Sequence, residues 1–281
     1  MTDSAVATKL CVAIFVTTSL LHAGLGLTVA QVRSPLRDSR LVLGALIGNF
    51  VLVPAAAMLI ARLFRLSDGL SLGLLLVAMS AGAPFLPRLV ELARGNGALG
   101  VAVMTLLLVT TLGYLPLVLP RFAPGVAVEP WAIAQPVLLL MLAPLAAGMA
   151  IRAWRPQLAG RLGPPLRWVS RAAMVLVLIL VVALDFERVR SVVGSGALVA
   201  AGLLVLAAIG IGFVTGGTSA ERRRVLALGT GQRGVSAALL IATHVARDPD
   251  AAVMVVVVIL VGEVMLFSSA AAVGRLGGTE A

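Results

Sequence analysis

Long apolar runs follow one another along the chain with only short polar segments between them. At ~1.5 Å rise per residue, a helix needs about 20 mostly apolar residues to cross the hydrocarbon of a bilayer. Segments of that kind lie at roughly 10–31, 41–62, 69–93, 97–120, 131–152, 168–186, 195–216, 223–246 and 251–274. The connecting segments, such as Arg33–Arg40 and Arg62–Asp68, are too short for a soluble domain. The pattern predicts an all-α fold: a polytopic protein with nine transmembrane helices, residues 1–281 forming a single membrane domain. The first residues, MTDSAVATKL, have a weak basic region and no clear cleavage site, so no signal peptide is expected.

Two of the runs are interrupted near their middles. Gly69–Arg94 is broken at Gly82-Ala83-Pro84-Phe85-Leu86-Pro87, and Arg223–Arg247 at Gly229-Thr230-Gly231-Gln232-Arg233-Gly234. A broken helix in lipid frees backbone groups that must be buried in protein or line a polar cavity. A matched pair in the two halves of a chain points to a transporter's binding site. The segment Ala93–Met104 aligns with Ala246–Met254 after a three-residue deletion, and each follows a broken span and opens the next. That pairs span 3 with span 8 and span 4 with span 9. The offset of five is odd, so paired spans run in opposite directions: an inverted repeat, with span 5 unpaired. Ala/Val-rich sequence can match by chance over so short a stretch, and the coincidence with both breaks carries most of the weight.

Composition sharpens this picture. Hydrophobic residues are 60% of the chain and charged residues 12%, outside the range of ordinary soluble domains. Aromatics are scarce, and the abundant small residues suit close helix packing. The net charge of +10 does not indicate nucleic acid, because the arginines cluster at the ends of apolar runs rather than on a soluble face. They report topology instead. On alternate sides of the nine spans, seven Lys/Arg fall with the N-terminus and thirteen opposite, leaving Arg88 and Arg233 within spans. Basic loops stay in the cytoplasm, so a multi-pass protein of the cell inner (plasma) membrane is expected, N-terminus outside and C-terminus cytoplasmic. Cys11 is the single cysteine and excludes an intramolecular disulfide. No nucleophile elbow, metal-ligand spacing or phosphate loop is present, so neither an enzyme nor a cofactor is expected. Gly24-Leu25-Gly26 and Gly210-Ile211-Gly212 read as helix-packing features.

The candidate chemistry lies in charged and polar residues within the spans. Arg233 falls in the second break, about 15 Å deep from the cluster Arg222–Arg224. A charge at that depth is costly and is usually functional. Its planar fork matches a carboxylate or sulfonate, and the following half-helix adds its N-terminal dipole; the plain alternative is a structural ion pair. Glu263 is midway along span 9. It is either a proton-coupling carboxylate, a counter-charge released from Arg233 by substrate, or half of a permanent Glu–Arg pair. Arg88 follows the first break and can snorkel toward Arg94 or turn inward, where it would pair with Arg233 as a second fixed cation. Asn49 is a mid-span amide that either bonds a neighbouring helix or lines the cavity. Gly82, Pro87 and Gln232 complete the candidate substrate contacts. Prolines 54, 116, 136 and 144 are expected to kink or flex their helices.

Asn49-Phe50-Val51-Leu52-Val53-Pro54, the stretch from Ser80 to Asn96, Leu226 to Leu239, and Pro144-Leu145-Ala146-Ala147-Gly148 resemble conserved segments of the bile acid:sodium symporter family. The resemblance runs over about residues 10–275. It implies a panel domain (10–31 and 131–186) and a core domain (41–120 and 195–274) in which the broken helices cross, in the nine-helix form. It also implies two sodium sites built from carboxylate, amide and hydroxyl oxygens beside the crossing. At the matching positions this chain has Leu86-Pro87, Gly100, Met104, Ala227 and Gly231-Gln232, and only Asn49 and Gln232 retain side-chain oxygens. The usual two-sodium coupling is therefore expected to be lost. The combined expectation is a secondary transporter of small or amphipathic organic anions working by alternating access, with proton coupling open and sodium doubtful. Its partners would be the anion and membrane lipid, with no nucleic acid. The alternative from another class is a non-transporting sensor or channel-like protein on a degraded transporter scaffold.

Overall fold

A computed structural model describes residues 3–28, 30, 38–83, 86–122, 131, 135–184, 190 and 196–276. Among these the chain is helical and contains no strand. In chain order the helices are α1 (Asp3–Gly26), α2 (Ser39–Leu63), α3 (Asp68–Met79), α4 (Leu86–Leu92), α5 (Gly97–Phe122), α6 (Val137–Trp154), α7 (Pro156–Leu184), α8 (Ala197–Thr215), α9 (Ala220–Gly231), α10 (Val235–Ala246) and α11 (Pro249–Leu276). Six contain stretches long and apolar enough to cross a membrane: α1, α2, α5, α6, α8 and α11. The third and eighth expected spans each appear as two shorter helices, α3/α4 and α9/α10. Pro84 and Phe85, the Arg88 side chain, and the span ends at 29, 31, 132–134 and 185–186 lie outside the described residues.

Several boundaries are set by short polar residues. The Asp38 carboxylate accepts the Leu41 N–H at the start of α2, and Ser67 caps α3 through Leu70. Asn96, Ser219 and Asp248 do the same for α5, α9 and α11. Each side chain occupies a donor that the first helical turn leaves unpaired. Three helices close on an arginine in the left-handed region: Arg65, Arg94 and Arg247, with φ of 49°, 54° and 52°. Arg94 and Arg247 occupy aligned positions of the sequence repeat, and each is followed within two residues by an Asx cap.

Pro54 and Pro144 lack the N–H that their helices need. In both places the preceding turn widens to a π-turn, Gly48–Leu52 in α2 and Val137–Leu142 in α6. The Phe50 carbonyl, which faces the missing Pro54 donor, accepts instead from the Tyr114 hydroxyl of α5 at 2.8 Å. Two helices depart most from expectation: α1 runs from Asp3 to Gly26 rather than over 10–31, and the sixth span starts early. The sequence pattern starts the sixth span at 168, yet α7 begins at Pro156 and runs through Pro164 and Pro165. Its first turns carry Arg161 and Arg167, so an apolar-run criterion passes over them, while Pro156 is well suited to the first position of a helix.

α1 packs mainly against α6 and α7, α8 against α9, α11 and α2, α3 against α11, and α4 against α5. A Cβ on Gly24 would overlap the Leu145 carbonyl, and one on Gly212 the Leu226 carbonyl, so these two glycines allow α1 to approach α6 and α8 to approach α9. Gly26 and Gly210 face open space. Large apolar side chains such as Leu59, Leu63, Leu139, Val214 and Val264 cover the outside of the bundle. A water-soluble protein does not expose such a surface, whereas a protein solvated by lipid does.

Candidate functional site

The two discontinuities lie against each other. Ala81 and Arg233 form an antiparallel backbone bridge, and the Gly234 N–H donates to the Ser80 carbonyl at 2.8 Å. α3 ends at Met79, and Ser80 turns extended with φ −100° and ψ 109°. Gly82 follows with φ +85°. That conformation favours glycine, and a Cβ there would also overlap the Leu108 backbone of α5. The Thr111 hydroxyl, reaching from α5, accepts the Ala81 N–H and donates to the Ala81 carbonyl, both at 3.0 Å. The Ser80 carbonyl and both backbone groups of Ala81 are thus satisfied by the second break and by α5, as burial without water demands.

The second break is shorter than the sequence suggests. Gly229, Thr230 and Gly231 remain helical, and the interruption is confined to Gln232-Arg233-Gly234 before α10 begins. Arg233 is 6% exposed. Its Nη2 donates to Asn49 Oδ1 at 2.8 Å; its Nη1 reaches the same oxygen at 3.3 Å and the Ala78 carbonyl at 3.5 Å. Ala78 is in the last turn of α3, where unpaired carbonyls carry the negative end of the helix dipole. Asn49 is fully buried in the π-turn of α2, and its Nδ2 donates to the Ala45 carbonyl at 2.9 Å and to Thr230 Oγ1 at 3.0 Å. The amide therefore holds the guanidinium by its oxygen and is itself oriented by its nitrogen.

Among the described residues every hydrogen-bond partner of this guanidinium is neutral. Among the described residues no carboxylate lies within ion-pair distance of Arg233. Glu263, half-buried midway along α11, lines the same small cavity as Arg233 and Gly231 without bonding to either. Several buried polar atoms around the breaks have no hydrogen-bond partner: Arg233 Nε, both amide atoms of Gln232, and Ser80 Oγ. Gln232 is 2% exposed and Ser80 0%. Buried polar groups are rarely left so, and a group of them beside a charge without an ion-pair partner marks a place for a polar ligand.

The candidate residues divide into two sets. Asn49, Gln232 and Arg233 gather at the crossing, with Glu263 on the adjoining cavity. Gly82 and Pro87 face α5, Gly82 against Leu108 and Pro87 against Gly100, so here their contacts are with protein. Thr111 and Tyr114 are not marked by the sequence pattern, and Thr230 and Ser80 stand there only as members of the second break and of the Ser80–Asn96 stretch. The available signal was a hydroxyl within an apolar span close to a Gly or Pro interruption, where freed backbone groups need a partner.

A family model described as the sodium bile acid symporter family matches residues 13–192. No curated protein sequence matches the chain. The family match takes in the first discontinuity and Asn49, and it ends before the second discontinuity, Arg233 and Glu263.

Proposed function

Because the chain belongs to the sodium bile acid symporter family, whose members are membrane transporters, we propose that it is a secondary transporter of small or amphipathic organic anions. The observation that carries the anion assignment is the Arg233 guanidinium: buried at the crossing, held only by an amide oxygen and a carbonyl, and unpaired with any carboxylate among the described residues. A charge so placed is stabilised by a bound anion, and the orphaned atoms of Gln232 and Ser80 supply further polar contacts. Asn49 positions the fork, and Gly82 and Pro87 shape the first break. Arg88, on α4, belongs to the same proposal as a second cation.

Transport proceeds by alternating access. A core of residues 41–120 and 195–274 moves against a panel of 10–31 and 131–186, with the crossing as the site carried between them. The packing of α1 onto α6 and α7 supports this division. The shared left-handed arginine and Asx cap at Arg94–Asn96 and Arg247–Asp248 support an inverted repeat. The distribution of Lys and Arg supports a cytoplasmic C-terminus.

The residues around the crossing do not fit a sodium ion. Sodium needs several hard oxygens, by the same reasoning as for other hard cations. Here Asn49 Oδ1 is engaged by the guanidinium, Thr230 Oγ1 by Asn49, and the Ala81 carbonyl by Thr111, which leaves Gln232 Oε1 and Ser80 Oγ as the unpartnered side-chain oxygens at the breaks, fewer than such a cation needs. A fixed positive charge among them repels a second cation. Uptake of radiolabelled butanesulfonate and taurocholate into liposomes tests the reading. Saturable uptake with counterflow, unchanged when sodium is replaced by potassium and lost in Arg233→Gln, is the expected result. Non-saturating flux would indicate a channel, and absence of flux a non-transporting scaffold. Undiminished uptake in Arg233→Gln would remove the proposed site.

A further inference from the structure

We propose that Arg233 and Glu263 act as a charge-exchange pair that binds one proton with each monovalent anion, so that the site is electrically neutral both loaded and empty. This rests on the transporter assignment above and adds the coupling ion to it.

Three observations carry the inference. First, the two side chains line one cavity, whose other walls include Val77 of α3, Val205 of α8, and Val258 and Ile259 of α11. Second, they are not an ion pair. The guanidinium is bound by Asn49 and Ala78, and Glu263 has no hydrogen-bond or ion-pair partner among the described residues. The permanent Glu–Arg bridge that the sequence left open is therefore absent from this arrangement. Third, among the described residues no other titratable side chain lines the cavity. Of the elements packed against α11, α8 contains no charged residue at all. Asp68 on α3, Glu91 on α4, Glu221–Arg224 on α9, and His244 on α10 sit toward helix ends, and the arginines of α7 are Arg161 and Arg167 in its first half and Arg171 at its middle. The Arg88 side chain is outside the described residues.

Charge counting gives the coupling. With no anion, one guanidinium and one carboxylate share an aliphatic cavity and sum to zero. A monovalent anion entering beside Arg233 would leave a net negative charge next to an ionised Glu263. Two like charges at contact distance in such surroundings would lower occupancy on the order of a thousandfold. Protonation of Glu263 restores the balance: guanidinium, anion and neutral acid again sum to zero. The proton comes from the aqueous side on which the anion enters. It leaves the carboxyl for water on the side where the anion is released, and no bond to the anion forms or breaks. The moving core therefore presents no net charge from this site in either direction, the condition that makes passage through a low-dielectric region affordable.

The test uses the same two sulfonates, butanesulfonate and taurocholate, because a sulfonate stays ionised at every pH used and any proton moved is carried by the protein. Liposomes hold a trapped pH dye. For the parent protein, inward sulfonate uptake acidifies the lumen with one proton per anion, and the rate is insensitive to an imposed membrane potential. Glu263→Gln fixes the neutral form. It is expected to keep sulfonate–sulfonate exchange within about twofold and to lose net uptake roughly 100-fold, because its empty site must return with Arg233 uncompensated. Persistent exchange also reports that the variant is folded. Parent protein that shows net sulfonate uptake without acidifying the lumen overturns the inference and leaves the transporter assignment intact, as does Glu263→Gln with unaltered net uptake. Parent protein that exchanges neither sulfonate overturns the transporter assignment, and this inference with it.

Discussion

Asn49→Asp is the most informative single change at the crossing. The substitution nearly preserves shape and keeps an oxygen where Asn49 Oδ1 now accepts from Nη2 at 2.8 Å. It replaces the amide nitrogen, which donates to the Ala45 carbonyl at 2.9 Å and Thr230 Oγ1 at 3.0 Å, with an acceptor. The Thr230 hydroxyl can turn to donate, while the Ala45 carbonyl keeps the Gly48 N–H but faces an acceptor in place of the amide donor, a cost of about 1–2 kcal/mol. Against this, an ionised carboxylate beside the guanidinium gains about 4 kcal/mol at ~4 Å and an effective dielectric of ~20. Taking the new carboxylate out of water at this fully buried position costs several kcal/mol and offsets most of that gain, so the variant should fold with a stability close to the parent's. Its guanidinium, however, would be neutralised from within. An anion competing for it would forfeit the same ~4 kcal/mol, or roughly three decades of affinity. Thermal unfolding in detergent would report the fold, and concentration-dependent sulfonate uptake the affinity. If the folded variant binds anions within tenfold of the parent, Arg233 is not the anion anchor, and its network with Asn49 is scaffolding alone.

Three further outcomes follow from the same geometry. Gly82→Ala imposes a side chain at φ +85° against the Leu108 backbone and should destabilise by roughly 3 kcal/mol, combining left-handed strain with overpacking; thermal unfolding would show it. Thr111→Val removes the hydroxyl that serves both Ala81 backbone groups, costing about 1–3 kcal/mol and raising hydrogen exchange at Ala81. Tyr114→Phe leaves the Phe50 carbonyl without a donor where Pro54 cannot supply one, a loss of about 1 kcal/mol in unfolding free energy with anion affinity unchanged.

Much of this protein is written locally. Apolar runs of membrane length, the two interruptions with their Gly and Pro residues, and the polar caps at Asp38, Ser67, Asn96, Ser219 and Asp248 are all short-range signals. They arise because a chain in lipid must either keep its backbone bonds within a helix or reveal where it does not. The depth of Arg233 was legible for the same reason. The extent of the second break was less so, since Gly229, Thr230 and Gly231 tolerate a helix when neighbours pack around them.

Tertiary structure decided who meets whom. Nothing in the sequence selects Asn49 over Glu263 as the partner of Arg233, because both are single polar residues near the middle of apolar spans. Nor does it reveal that Thr111, 30 positions from Ala81, closes the backbone of the first break. Such pairings depend on which helix faces touch, and those contacts are settled by packing across the whole bundle rather than by the residues on either side along the chain.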